Sequence, residues 1–172
     1  MDAFRSTHRR AFLPGVDLES ACMEDAVPIR HDEHGEMISC ISAQSFVATQ
    51  LEQLGAESGH KVLKAGAATG YNASLLGKIV SPGGQVGTLD VDQDLVSGTS
   101  RHLAEADVDN PTAVMADCAA GLAEHAAQTR SSSLSAPVMS PVKIFDQLAP
   151  GGRLGLPMRI RGQYLPDLRL RA

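Results

Sequence analysis

The segment best suited to chemistry is the bend Gly66-Ala67-Ala68-Thr69-Gly70, which follows the run Lys61–Ala65 (KVLKA) and precedes a helix-forming stretch. A strand that turns straight into a helix needs small residues, and glycine can take positive φ. Small side chains also let a ligand approach the backbone, and the N–H groups that open the helix then face it. A plain tight turn without ligand is the competing reading. The bend lacks the third glycine of G-x-G-x-x-G, which disfavours a dinucleotide pyrophosphate and hence a nicotinamide-dependent oxidoreductase. Asp90 lies 20 residues past Gly70, at the end of the next apolar run. A carboxylate there can accept both hydroxyls of a nucleoside ribose. It can also cap a helix, although Asp92 and Asp94 are available for that job. Asp117 ends a third run, where it can accept from an exocyclic amine such as that of adenine, or cap a loop.

Other reactive residues carry less. His31 and His34 flank Asp32 and Glu33, a spacing compatible with metal ligation. No second ligand cluster accompanies them, so a solvated loop is expected and no metal. The three cysteines, Cys22, Cys40 and Cys118, show no C-x-x-C spacing. Their odd number argues against a disulfide framework.

The elements that must hold these residues alternate. Residues 1–38 read as irregular, with Pro14, Gly15, Pro28 and Gly35 as turn signals and a short helix near Leu18–Asp25. A helix over Ser45–Leu54 shows one apolar face through Val47, Ala48, Leu51 and Leu54. Ser42 or Ser45 caps it and Gly55 closes it. Strands are expected at Lys61–Ala65, Gln85–Leu89 and Thr112–Met115, with helices at Asn72–Val80 and Asp94–Ala106. This pattern predicts an α/β, Rossmann-like, doubly wound and mostly parallel sheet. Ligands in such sheets sit beyond the carboxyl ends of the strands, where Gly66–Gly70, Asp90 and Asp117 all fall. Residues 128–140 (QTRSSSLSAPVMS) break the pattern: a fourth parallel strand belongs here, yet Ser131–Ser135 is a poor buried strand. Pro141–Ala149 reads as a helix, and Pro150-Gly151-Gly152 turns into a strand at Arg153–Pro157.

Composition sets the outer bounds. A chain of 172 residues predicts one domain over 1–172. Hydrophobic residues are 43%, charged residues 20% and aromatics 3%, so Leu, Val, Ile and Ala must form the core. The net charge of -5 gives no footprint for nucleic acid. The arginines from Arg153 to Arg171 read as solvated surface. No signal peptide and no apolar run of about 18 residues is seen, so no membrane partner is expected and the default location is the cytoplasm. Oligomeric state is not legible.

Several segments, in order, resemble one family, the protein-L-isoaspartate O-methyltransferases. Residues 38–54 (ISCISAQSFVATQLEQL) are similar to its T-I-S-x-P segment and following helix, and 61–76 (KVLKAGAATGYNASLL) to its V-L-E-I-G-x-G-x-G-Y motif. Residues 86–95 (VGTLDVDQDL) resemble its acidic second-strand end, 114–118 (VMADC) its V-x-x-D-G motif, and 145–157 (FDQLAPGGRLGLP) its D-Q-L-x-x-G-G-R-L-V-x-P stretch. The AFLPGVDLESACMEDAVPI segment fits its entry region. The resemblance implies S-adenosyl-L-methionine as cofactor and methylation of the free carboxylate of isoaspartyl residues in proteins or peptides. It implies Ser42 as the active-site serine, holding the substrate. Ser39, Cys40 and Ile41 would border the same pocket. Gly66, Ala68 and Gly70 would lie against the cofactor, Asp90 would take the ribose, and Asp117 with Cys118 the adenine.

The departures from the family pattern are equally specific. Lys64 stands where the family has an acid that orients the methionine ammonium. A like-charge contact at about 4 Å costs on the order of 1 to 4 kcal/mol. Ala65 replaces a larger apolar residue, Ala68 and Cys118 replace glycines, and Gln44 replaces the proline of T-I-S-x-P. Serines in the fourth strand lose roughly 1.5 to 3 kcal/mol for each buried aliphatic they replace. The family's last antiparallel strands are expected to be missing after Gly162, giving a truncated C-terminus. A non-catalytic relative acting as a binding or interaction domain is therefore the alternative to an active enzyme.

Overall fold

The computed structural model describes residues 2–120, 128–133, 145–160 and 163–171; the side chains of Ala119 and of residues 128–133, 156–160 and 163–171 are not described. Its elements are α1 (Asp2–Ser6), a 3-10 turn (Arg9–Phe12), α2 (Leu18–Cys22), β1 (Val27–His31), β2 (Met37–Ile41), α3 (Gln44–Leu54), β3 (Lys61–Ala65), α4 (Tyr71–Val80), β4 (Gln85–Asp90), α5 (Gln93–Glu105), β5 (Pro111–Met115), β6 (Gln128–Ser133), β7 (Leu148–Ile160) and β8 (Gln163–Arg171). Six strands form one sheet in the order β5-β4-β3-β6-β7-β8. All neighbours are parallel except the β7–β8 pair. This is the Rossmann-like α/β fold expected from the alternation.

Each central element forms for a local reason. β3 alternates, so Val62 and Lys64 lie on one face and Leu63 and Ala65 on the other. All four are buried, as a sheet covered on both sides requires. Val62 joins Val86, Leu75, Leu76 and Val80 in the larger core, which extends to Val47, Leu51 and Leu54 of α3 and to Phe12. Ala65 joins Leu148 and Leu154 in a smaller one. α3 ends where Gly55 takes φ 60 and donates to Leu51 O. The side chain of Asp92 caps α5 by accepting from Asp94 and Leu95 N–H.

Four expectations change. Neither Ser42 nor Ser45 caps α3. Its N-cap is Ala43, and the distant Glu24 carboxylate accepts from Ser45 N–H at 2.7 Å instead. Residues 1–38 are more ordered than their turn residues suggest: Val27–His31 and Met37–Ile41 pair as an antiparallel hairpin. The serine-rich segment does form the fourth parallel strand, β6, with backbone ladders to β3 on one side and β7 on the other. Main-chain pairing on both edges needs no particular side chain. Last, an antiparallel strand follows Gly162 after all, namely β8 at the sheet edge. Its Pro166 is tolerated there because an edge strand has a free side. Of the helix expected at Pro141–Ala149, residues 141–144 lie outside the described residues, and Leu148 already belongs to β7. Among the described residues no helix is long and apolar enough to cross a membrane.

Candidate active site

The site is built where β3 runs out. Gly66 takes φ 85 and its N–H donates to Leu89 O at 2.8 Å, tying the bend to the end of β4. Gly70 takes φ 92, and a Cβ there would meet Thr99 Cγ2 at 3.1 Å, so only glycine suits the position. Between them Ala68 holds φ 49, the left-handed region that costs a residue with a Cβ about 1 kcal/mol or more. α5 braces the bend from outside: Thr99 Oγ1 donates to Ala68 O at 3.3 Å and His102 Nδ1–H to Thr69 O at 2.9 Å.

Asp90 does more than wait for a ligand. Its Oδ2 accepts from Ala67 N–H at 2.9 Å and Ala68 N–H at 3.3 Å, and its Oδ1 from Asp92 N–H at 3.2 Å. A carboxylate offers about four acceptor positions. Three are thus used on the protein's own backbone, and Asp90 acts first as the anchor of the bend. Sequence reading identified the acceptor but not these donors, because nothing in the residue types says which amides fold back onto it.

Ser42 reaches the bend from the hairpin side. Arg9, buried in the 3-10 turn, donates to Ile41 O at 3.4 Å and Ser42 O at 3.2 Å. It also donates to Ala21 O at 3.2 Å, Met23 O at 2.8 Å and Asp25 O at 2.7 Å. This one guanidinium gathers α2, the chain entering β1 and the chain leaving β2. It holds Cys40, Ile41 and Ser42 against Ala67, Ala68 and Thr69 across a narrow cavity of about 20 Å³, room for about one water. The remaining walls are Lys64, Val47, Tyr71 and Asn72. Arg30 of β1 pairs with Asp92 at 3.2 Å and Asp94 at 2.9 Å, linking the hairpin to the start of α5. A second cavity of about 280 Å³ lies beside it, with Phe12, Leu13 and Ile29 on one side and Ala68, Thr69, Leu95 and His102 on the other.

The cleft's chemistry is unusual in two ways. Thr69 Oγ1, Tyr71 Oη and both amide atoms of Asn72 are buried yet make no hydrogen bond among the described residues. Buried polar groups are ordinarily bonded, so these suit a polar ligand. The second feature is Lys64, only 1% exposed, whose Nζ donates to Gly66 O. Burial lowers its pKa from 10.5 to about 8, with Asp90 and then Cys118 pulling the other way. Burial also raises the thiol of Cys118, which donates to Leu89 O at 3.6 Å. The Cys40 thiol is raised by burial and partly lowered again by its hydrogen bond with Ser42.

Of the residues singled out from sequence, Cys40, Ile41, Ser42 and Ala68 share the narrow cleft. Gly66, Gly70 and Asp90 shape the bend that walls it. Ser39 lies on β2 opposite Arg30, outside that lining. Asp117 is exposed two residues beyond β5, also outside it, and Cys118 sits next to it near Leu89. Sequence reading did not place Thr69, Tyr71 or Asn72 in the site. The Gly-Tyr pair after the bend was the available signal. Among the described residues no group of His, Cys, Asp or Glu is arranged to hold a metal ion.

The comparisons identify the family. The family model for protein-L-isoaspartate(D-aspartate) O-methyltransferase matches residues 1–171. The protein-L-isoaspartate O-methyltransferase of Methanothrix thermoacetophila is 31% identical over 169 residues, covering 98% of this chain and 76% of that protein. Its namesake from Aeropyrum pernix is 30% identical over 171 residues, 99% of this chain and 62% of that one. Among solved structures, a protein-L-isoaspartate O-methyltransferase superposes with a TM-score of 0.84 at 23% identity, covering 99% of this chain and 59% of the other. A β-aspartate methyltransferase from Plasmodium falciparum, solved with S-adenosyl-L-homocysteine, gives 0.78 at 15% identity, with 99% and 84% covered. The chain spans 59% to 84% of the length of these four proteins. By fold, by segment order and by the match along its length, this chain belongs to the protein-L-isoaspartate(D-aspartate) O-methyltransferase family.

Proposed function

We propose that this chain is a protein carboxyl methyltransferase of the cytoplasm, using S-adenosyl-L-methionine to methylate the free carboxylate of isoaspartyl residues in damaged proteins and peptides. One observation carries the reading: Ser42 and the bend Ala67–Thr69, far apart in the chain, wall one cleft. The unpaired Thr69, Tyr71 and Asn72 groups fit a polar ligand there. Asp90, with its last acceptor position, takes a ribose hydroxyl, while Gly66, Ala68 and Gly70 give close access to backbone. Asp117 and Cys118 border the adenine, and Ser39, Cys40 and Ile41 the cofactor's other end.

The bound cofactor supplies an electrophilic methyl group. The chain's own task is then positioning. An isoaspartyl carboxylate is already ionised near pH 7, so no general base is required. Ser42 Oγ–H donates to that carboxylate and fixes its direction of approach, and the catalytic gain comes from alignment. The raised thiols of Cys40 and Cys118 stay protonated at neutral pH and do not compete as nucleophiles.

The test is methyl transfer from labelled S-adenosylmethionine to a peptide pair that differs only in an isoaspartyl or aspartyl linkage. Base-labile label on the isoaspartyl peptide alone is expected. Cofactor binding without transfer would instead support the non-catalytic alternative, and no binding by calorimetry or thermal shift would end the proposal.

A further inference from the structure

We propose that Arg9 is a positioning residue for methyl transfer: through the Ile41 and Ser42 carbonyls it sets where the Ser42 hydroxyl stands, and so the line along which the substrate carboxylate approaches. The proposal rests on reading Ser42 as the serine that holds the substrate.

Ser42 belongs to neither of the elements that flank it. The ladder of β2 ends at the Val27–Ile41 pair, and α3 begins at Gln44 behind its N-cap Ala43. A residue between a strand and a helix keeps two soft backbone dihedrals, and those dihedrals aim its side chain. Arg9 reaches this main chain from the 3-10 turn, 33 residues earlier. Its Nη2 donates to Ser42 O at 3.2 Å and to Ile41 O at 3.4 Å. The same nitrogen donates to Asp25 O at 2.7 Å, just before β1, so it closes the open base of the hairpin from both sides. Nη1 donates to Met23 O at 2.8 Å and Ala21 O at 3.2 Å. The two shortest bonds, to Asp25 and Met23, hold the guanidinium. The longer ones pass its position on to Ile41 and Ser42. On the far side of Ser42, the Glu24 carboxylate fixes the start of α3 by accepting from Ser45 N–H.

The N-terminal segment needs no buried charge merely to stay in place. Arg9 is 5% exposed, and its five bonds all end on neutral carbonyls. Burying a guanidinium in such company carries a desolvation penalty that packed apolar side chains avoid. Apolar packing is non-directional, however. A planar fork with fixed N–H directions sets its acceptors in angle as well as in distance. The reaction needs that precision, because the chain supplies alignment and not a proton. A displacement of about 1 Å in the reacting geometry can cost about 100-fold in rate. Ser42 faces Ala67, Ala68 and Thr69 across the cleft, so a shift of its backbone moves the hydroxyl relative to the bend.

The test measures kcat and KM for methyl transfer to one isoaspartyl peptide by the wild type, Arg9→Lys, Ser42→Ala and the double variant, with folding checked by circular dichroism and urea denaturation. Arg9→Lys keeps the charge and loses the fork. Its kcat is expected to fall roughly tenfold to 100-fold, with KM for peptide and cofactor changed far less. In the Ser42→Ala background the same substitution is expected to cost at most about twofold, because the hydroxyl it would misplace is gone. A residue that only supports the fold would cost the same in both backgrounds. That result overturns the inference, as does a folded Arg9→Lys with wild-type kcat. Where Ser42→Ala turns over too slowly to measure, the split between kcat and KM decides alone. If Arg9→Lys does not fold, Arg9→Gln, with a planar amide and no charge, replaces it; if neither folds, Arg9 is structural and the inference fails. A wild type that methylates no isoaspartyl peptide, or Ser42→Ala with wild-type kcat, ends the reading of the site itself. A normal Arg9→Lys beside an impaired Ser42→Ala ends this inference only.

Discussion

Lys64 bears on stability even without ligand. Below pH 8 both the folded and unfolded chains carry its proton, and the folded chain bears the full cost of burying the charge. Between pH 8 and 10.5 the unfolded chain holds more proton than the folded one, so stability rises with pH; above 10.5 both are neutral. A displacement from 10.5 to about 8 corresponds to about 3 kcal/mol. Replacing Lys64 by Met keeps an unbranched apolar stem of similar volume and removes the charge. It also removes the bond to Gly66 O, about 1 kcal/mol. Lys64→Met is therefore expected to be more stable than wild type by about 2 kcal/mol at pH 7, a large share of a typical 5 to 15 kcal/mol. Raw pH curves will mislead, because Cys40, Cys118 and Tyr71 have raised pKa values and withdraw stability as pH climbs above about 9. The difference between the two proteins isolates the lysine. Urea denaturation of both at pH 7, 8, 9 and 10 should show the advantage of Lys64→Met shrinking steadily above pH 8. A difference that stays flat across this range, or a variant already less stable at pH 7, would refute the burial argument.

Two further substitutions probe the frame of the site. Arg9→Met strips the donors from carbonyls in three chain segments and should destabilise by about 3 kcal/mol in urea denaturation, in the range seen when a buried charged network loses one partner. Arg9→Lys should fall between, since one ammonium cannot span what a guanidinium fork spans. Ala68→Gly relieves the left-handed backbone at φ 49 and should raise stability by about 1 kcal/mol or less, the gain being reduced by the greater freedom of glycine in the unfolded chain; a loss in the same assay would show that the Ala68 methyl group is packed rather than strained.

What the sequence displays and what it hides divide along the distance between partners. α3, β3, α4, β4, α5 and β5 were legible because their causes are local: apolar periodicity, Gly55 at a helix end, Asp92 at a helix start. Glu24 capping α3 acts across 21 residues, Arg9 reaches Ser42 across 33, and Arg153 bonds Gln53 O across 100. None of these leaves a local pattern. Arg153 shows the consequence: read as solvated, it instead closes the C-terminus of α3, where a cation suits the exposed carbonyls. β6 failed for a different reason. Reading strands by apolar side chains misses one whose place is held by main-chain ladders on both edges. The site combines both cases. The address of Lys64 was readable, because a strand and a glycine bend flank it. Its charge state was not, because that depends on how completely β4, α4 and the hairpin end close over it, and on Asp90 being bound to the bend. A departure from a family motif can thus be located from sequence alone, whereas its effect depends on the charge of the amine, and only the packed structure shows the burial that works against that charge.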